Sequence, residues 1–322
     1  MKPICSMILP ALSMALLTLN AGAQAWPTKP LRAVVPAGAG STVDIVPRVV
    51  FEQLSPQIGQ NIVVENRPGA GTTIGTTLVA KATADGHTFL VNSSAHTITP
   101  SLYQNLSYHA ARDFASVVPL GISPQVMVVS PAKGIKTVSD LVAAAKAKPG
   151  TFNFSSVGVG TSTHMAAERF RFSAKVAAVH VPFKGGAEAM SEVMGGRVEF
   201  FFGPVGLVLP HVREGRLVAL VVNGAKRSAA LPDVPTTREA GFTNAEYPFW
   251  FGLFLPAKTP RDIVDKLHRE TLTALQTPKV RDKLAALGVD PMVMTPKEFD
   301  AYVEKEIAVS AALVKATGIK LD

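Results

Sequence analysis

The sequence predicts an α/β protein of two lobes, each a mostly parallel sheet flanked by helices, with a ligand cleft between the lobes. Three observations carry this. Short apolar runs alternate with stretches at helical spacing, the pattern of strand–helix units on a sheet covered on both faces. Several of the strand-like runs end in loops of small residues. The alternation breaks at Ser123-Pro124 and again at Tyr247-Pro248, where the chain is expected to cross between lobes. Residues 26–124 with 248–322 then make the first lobe, and residues 125–247 the second.

The first unit sets the pattern. Leu31–Val35 is long enough for one buried strand, and Pro36 ends it. Ala37, Gly38, Ala39 and Gly40 carry no bulky side chain; Ser41, Thr42 and Asp44 then offer capping oxygens. Ile45, Val46, Val49, Val50 and Leu54 continue at helical spacing. Pro47 is tolerable only in a first turn, which puts the helix start close to Asp44. Such a junction leaves backbone N–H groups unpaired and aimed at whatever sits above the loop, which suits a carboxylate or a phosphate. An ordinary strand-to-helix turn needs the same small residues, so the weight comes from recurrence.

Asn61–Glu65 is the next strand, Asn66–Gly71 a loop, and Thr72 or Thr73 caps a helix running to about Ala82. Asp85-Gly86 turns into the strand Thr88–Val91, followed by Asn92-Ser93-Ser94-Ala95-His96. The second series opens with the strand Val126–Val129, the helix Val138–Lys146 and the strand Phe152–Phe154. The loop Ser155–Gly160 leads into a helix over Thr161–Phe170. Val176–Val181 is a strand, Phe183-Lys184-Gly185-Gly186 a loop and Ala187–Met194 a helix. Val198–Phe202 is a strand, followed by Gly203-Pro204-Val205-Gly206, and Leu217–Val222 is another strand. Tyr247–Leu255 is extended. Helices at Pro260–Gln276, Lys279–Leu287 and Pro296–Lys315 follow, the last with Phe299, Tyr302, Val303 and Ile307 on one face.

Residues 1–25 read as a signal peptide: Lys2, a charge-free apolar run from Ser6 to Leu19, and small-x-small sites ending at Ala23 and Ala25. Removal is expected after Ala25. A membrane anchor is the alternative, but the run is short for a span and no later stretch is long and apolar enough. The mature chain is therefore expected to be exported and soluble. Cys5 is the only cysteine and leaves with the signal, which excludes thiol chemistry, disulfides and cysteine metal sites. The formal charge of +8 is scattered and reads as a solvated surface that mildly favours anions. No basic helix, zinc pattern or basic–aromatic platform points to nucleic acid.

The small-residue loops are Ala37–Ser41, Pro68–Thr72, Ser93–His96, Gly158–Thr163 and Gly185–Ala187. In open α/β sheets ligands bind outside the carboxyl ends of the strands, so facing lobes would put these loops on the two walls of one cleft. The donors there are N–H groups and hydroxyls. Each hydrogen bond to an ionised ligand contributes roughly 1.5–3 kcal/mol, so a few offset the desolvation of one carboxylate. This is chemistry that holds an anion unchanged. Enzyme signatures fail: there is no Gly-x-Ser-x-Gly elbow and no P-loop. Gly69-Ala70-Gly71 with Gly75 is one residue too long for a dinucleotide fingerprint, and Pro131 opposes the helix that a Ser-x-x-Lys motif at Ser130–Lys133 would need. The histidines form no zinc pair. No catalytic residue, cofactor or metal is expected. Some residues keep two readings: His164 as structural or ligand contact, Asp44 as a first-turn carboxylate or a charge partner, Arg67 as a loop clamp, Phe249 and Trp250 as cleft wall or core, Lys184 toward ligand or solvent.

The chain resembles the Bug family, the periplasmic solute-binding proteins of tripartite tricarboxylate transporters. The resemblance covers essentially all of the chain after the signal. It is carried by Trp26-Pro27 with Lys29-Pro30, Pro36 through Asp44 with Arg48, Glu65–Gly71 with Ile74-Gly75, Gly160-Thr161 with His164, and Val181–Gly185. Gly195–Val198, Gly224–Ser228, Leu231–Thr236 and the short ending Gly318–Asp322 add to it.

The resemblance implies a two-lobed periplasmic binding protein that closes on a small carboxylate and docks on a membrane permease, with a sensory subunit serving a membrane kinase, or a hydrolase reusing the cleft, as alternatives. A monomer is expected. The ligand contacts it implies, added to the loops above, are Ala37, Gly38, Ala39, Gly40, Ser41 and Thr42, then Ser93 and Ser94, then Gly160, Thr161, Ser162, Thr163 and His164. Phe183, Gly185, Gly186, Ala187 and Gly203 complete the set. The family often has an aromatic residue where this chain has Ala37, and Gly-Gly where it has Gly40-Ser41. Some members that bind amino acids carry an aspartate where this chain has Gly203. Its absence implies a carboxylate ligand without a free amine, since an unpaired buried ammonium costs several kcal/mol.

Overall fold

The computed structural model describes residues 26–319; the signal peptide, Cys5 and the last three residues of the Gly318–Asp322 motif lie outside the described residues. Ten strands form two five-stranded sheets. The first has the order β2-β1-β3-β10-β4, with β1 Leu31–Val35, β2 Ile62–Asn66, β3 Thr88–Ser93, β4 Phe114–Ile122 and β10 Trp250–Pro256. The second has the order β7-β6-β8-β5-β9, with β5 Gln125–Val129, β6 Phe152–Ser156, β7 Ala178–Pro182, β8 Phe200–Pro204 and β9 Val218–Asn223. In each sheet one strand runs against both neighbours and the others share one direction: β10 opposes β3 and β4, and β5 opposes β8 and β9. Each of these is the first strand laid down after the chain leaves the other sheet.

Helices cover the faces. α1 is Thr42–Ile58, α2 Thr73–Ala80, α3 Ala95–Leu102, α4 Val138–Ala147 and α5 Ser162–Ala174. α6 is Gly186–Met194, α7 Val205–Arg213, α8 Arg261–Gln276, α9 Pro278–Ala286 and α10 Pro296–Thr317. No helix among the described residues is long and apolar enough to cross a membrane.

One expectation is corrected and two stretches gain elements. α1 starts at Thr42, capped by Ser41 in extended conformation, so Pro47 lies beyond the first turn and Pro56 lies inside the helix too. The missing N–H groups deprive the Val43 and Glu52 carbonyls of helical partners. Burial of Val46, Pro47, Val50, Phe51 and Leu54 on one face outweighs that loss. Residues 95–122 hold α3 and β4. Pro119 and Gly121 hid β4, but it is an edge strand, where proline is tolerated. β8 runs on through Gly203 and Pro204, which pair with Val126 and Gln125, and α7 begins at Val205.

The cores follow the sheets, with one exception. Val34, Leu90, Trp250, Phe254, Phe299 and Val303 pack together in the first lobe. The main core of the second lobe contains Met127, Phe154, Met165, Phe170 and Phe200, but also Ile98 from α3 and Leu313 from α10. α10 therefore starts on the first lobe's core and ends on the second's. Phe249 and Trp250 are buried core residues.

Candidate functional site

The β1–α1 loop is braced from below. Asp44 Oδ2 accepts from Gly40 N at 2.9 Å, and Oδ1 accepts from Arg48 Nε and Asn66 Nδ2, both at 2.9 Å. Asn66 Nδ2 also reaches the Ala37 carbonyl at 3.0 Å. Burial pushes the Asp44 carboxyl up, but the hydrogen bonds from Gly40, Asn66 and Arg48 outweigh it and hold the group below the usual carboxylate range. Asp44 is thus a first-turn brace with three of its about four acceptor sites engaged. Above it Gly38, Ala39 and Gly40 are exposed, and Ala37, Ser41 and Thr42 are half-buried. The N–H groups of Gly38, Ala39, Thr42 and Val43 donate to nothing among the described residues, and the Ser41 hydroxyl is buried without a partner.

The β3 end supplies the second group. Ser93 N donates to Asn92 Oδ1 and Ser94 N to the Trp250 carbonyl, which fixes the turn into α3. Ser94 is buried and its hydroxyl has no partner. The Pro68–Thr72 loop backs α3: Gly69, Ala70, Gly71 and Thr72 all have positive φ, and Thr99 Oγ1 donates to the Gly71 carbonyl. A side chain at Gly71 would strike Tyr103. Arg67 pairs with Glu65, which also holds Arg32, so it clamps its loop to β1.

In the second lobe the β6–α5 loop is tied internally. Thr161 Oγ1 donates to the Gly158 carbonyl at 2.7 Å, and Val157 N donates to Thr163 Oγ1 at 3.0 Å. Gly160 N donates to His164 Nδ1 at 3.1 Å. His164 stacks on His180 at 3.9 Å between ring centroids, and the His180 ring bonds Ser156 Oγ at 2.6 Å. Burial lowers His164 to about 3, helped by His180 and Arg171, and burial lowers His180 to about 4, so both rings are neutral near neutral pH. With Nδ1 accepting, the His164 proton sits on Nε2. His164 braces the loop that carries Gly160, as Asp44 braces the loop that carries Gly40.

The β7–α6 loop places Gly185 as the cap of α6 and leaves Ala187 exposed, Gly186 and Phe183 half-buried, and Lys184 exposed. Lys184 N donates to Glu188. Gly203 lies elsewhere than expected. It is buried inside β8, and a side chain there would run into Phe201 and Val208, the packing side of the strand.

These loops leave the carboxyl ends of their strands. α3 and the Gly160–Ser162 segment meet across the lobes, where a side chain at Gly160 would strike Leu102; within the second lobe Gln125 Nε2 donates to Ser162 Oγ at 3.2 Å. No hydrogen bond joins the β1–α1 loop to the β7–α6 loop among the described residues. Gln125, Asn223 and Tyr247, all buried, were not foreseen; they come from three separate stretches with no shared motif. A cavity of about 400 Å³ opens elsewhere, between α8, α9 and residues 289–293. Its lining combines Leu120, Leu272, Leu275 and Leu284 with Gln276, Arg281, Asp282 and Asp290, and none of the predicted loops reaches it. No group of three or more metal-ligating side chains occurs among the described residues.

Two α/β lobes with donor-rich loops at their strand ends define a two-lobed solute-binding protein. Residues 46–319 match the tripartite tricarboxylate transporter family receptor model, TctC, and the chain belongs to that family. It is 37% identical over 286 residues to a UPF0065 protein from the tcbD-tcbE intergenic region of Pseudomonas sp. strain P51, covering 88% of this chain and 85% of that one. It is 34% identical over 301 residues to Protein BugT of Bordetella pertussis, covering 93% and 92%. Among solved structures it is similar to R. palustris Rpa4515 with adipate (30% identity, TM-score 0.84, 92% of this chain and 99% of that one). MatC from Rhodopseudomonas palustris with bound malate gives 30% identity and a TM-score of 0.81 over 90% and 100%. The periplasmic binding protein BugD gives 29% identity and 0.82 over 92% and 99%. The resemblance drawn from the sequence motifs is thereby borne out, as is the two-lobed α/β fold.

Proposed function

We propose that this receptor binds a small carboxylate without a free amine, in the periplasm, between the loops of its two lobes, and delivers it unchanged to a membrane permease. The observation that carries the reading is the β1–α1 loop. The N–H groups of Gly38, Ala39, Thr42 and Val43 are free to donate, while the buried carboxylate of Asp44 already accepts from Gly40, Arg48 and Asn66. The charge balance favours an anion. Glu188, the other candidate partner for an ammonium, is exposed and accepts from Lys184 N, and Glu168 is held by Arg171 at 2.6 Å. That Rpa4515 carries adipate and MatC malate supports an acid lacking an amine. The protein acts as a monomer and has no catalytic role: the hydroxyls of Thr161 and Thr163 serve their own loop, and His164 accepts from Gly160 rather than from a nucleophile.

Calorimetric titration with adipate, malate, succinate and aspartate tests this. Saturable binding of at least one amine-free acid, recovered intact, with aspartate weaker than succinate, is the expected result. Tighter binding of aspartate, or recovery of a converted product, would overturn it.

A further inference from the structure

A buried polar seam runs from one lobe to the other behind the candidate site. Its ends are Ser94, at the start of α3, and Ser162, at the start of α5. Gln125, Asn223 and Tyr247 lie between. Gln125 Nε2 donates to Ser162 Oγ at 3.2 Å. Gln125 and Asn223 face each other across the β5–β9 pair. Asn223 Oδ1 accepts from Tyr247 N at 2.5 Å. The Tyr247 hydroxyl lies beside that of Ser94 without reaching good hydrogen-bond geometry. Gln125, Asn223, Tyr247 and Ser94 are each no more than 2% exposed.

Two features mark the seam as more than packing. Gln125 is the first strand residue after the outgoing crossing at Ser123-Pro124, and Tyr247 is the last residue before the return at Pro248. The seam therefore lies on both crossings, where any rotation of one lobe against the other must pivot. The second feature is its unmet hydrogen bonding. Ser94 Oγ, Tyr247 OH, Asn223 Nδ2 and Gln125 Oε1 all lack a partner among the described residues. Buried polar atoms are rarely left so, and a run of them along one chain of contacts indicates an arrangement that a further polar group completes.

We propose that Gln125 and Tyr247 are positioning residues that couple the two lobes, setting Ser162 and Ser94 together against a bound carboxylate. The inference rests on the carboxylate reading above. A bound carboxylate accepts from the Ser94 and Ser162 hydroxyls, which leaves Ser94 Oγ to accept from the Tyr247 hydroxyl and joins the two ends of the seam. Neither Gln125 nor Tyr247 need touch the ligand for this.

The test uses Tyr247→Phe, Gln125→Met and the double variant, each titrated calorimetrically with adipate and malate and melted without ligand. Each single variant should lose about tenfold in affinity, and the double variant should lose about the same rather than the product, because either change breaks the same relay. The ligand-free melting temperature of Tyr247→Phe should be unchanged or higher, since the change removes an unpartnered buried hydroxyl. If Gln125→Met fails to fold, Asn223→Ser replaces it, since it interrupts the seam between Gln125 and Tyr247 without altering either serine. Unchanged affinity in Tyr247→Phe, or losses that multiply in the double variant, overturns the relay while leaving the carboxylate reading intact. Binding of neither acid by the unaltered protein overturns both.

Discussion

Asp44→Asn keeps the shape of a side chain that accepts from a backbone N–H, a guanidinium and an amide at once. Asparagine offers one oxygen in place of two, so its own NH2 must face at least one of those donors. Bonds to a charged acceptor contribute about 1.5–3 kcal/mol each. Gly40 is exposed and the Arg48 side chain is 45% exposed, so water replaces part of what those two lose. Asn66 keeps its bond to the Ala37 carbonyl. The expected net loss is therefore nearer one bond than three, about 2–3 kcal/mol at pH 7. The pH dependence adds a second check. Asp44 has a folded pKa below its unfolded value, so its contribution is full above about pH 4 and is lost as pH falls through the folded value. Urea unfolding followed by circular dichroism at pH 7, 5 and 3.5 should show a gap between wild type and variant that is constant at the first two and shrinks at the third. Equal midpoints at pH 7, or a gap that grows toward pH 3.5, would refute the brace.

The buried histidines predict acid lability of a different origin. His96 and His180 are lowered to about 4 and His164 to about 3, so between the unfolded value of about 6.5 and those figures the unfolded chain takes up protons the folded one refuses. Stability should fall from pH 6.5 downward by up to about 1.4 kcal/mol per unit for each ring, and His180→Asn should flatten the slope; a level profile from pH 7 to 5 would contradict this. Gly203→Asp should destabilise by about 3 kcal/mol or more, because the new side chain meets Phe201 and Val208 and buries an unpaired charge. Wild-type stability together with new affinity for aspartate would show that position 203 faces ligand after all. Leu313→Ala should cost about 2–3 kcal/mol and enlarge the ligand-free radius in solution scattering, since it loosens α10 from the second lobe. An unchanged radius would show that α10 does not tie the lobes.

What could be read in advance follows from what the residues do locally. Leu31–Val35 and Phe152–Phe154 announce themselves because a buried strand must be apolar, and the small-residue loops because they feed helices. α3 and β4 stayed hidden because Pro100, Pro119 and Gly121 look like breaks; Pro119 is admitted only because β4 lies at an edge, which no local pattern reveals. α7 was masked in the same way by Pro204 and Pro210. At the site, the Asp44 and His164 braces were half visible, since each sits four residues from the glycine it holds. At Gly203 the sequence gives a strand residue's neighbours but not which face it presents, which β8 places toward Phe201 and Val208. The seam of Gln125, Asn223 and Tyr247 could not be seen at all, because its members meet only after the chain has made both crossings.

α10 gives the molecule a built-in gauge. Trp26 is fastened to the first lobe, its carbonyl accepting from Lys266 Nζ of α8 at 2.6 Å, while the far end of α10 is fastened by Leu313 to the second. A donor dye near Trp26 and an acceptor near the exposed Phe172 of α5, the second-lobe helix that the end of α10 meets, would therefore ride on opposite lobes without a label in either cleft wall. Energy transfer between them reads lobe rotation directly, and a panel of unlabelled acids can be screened by the change in that signal.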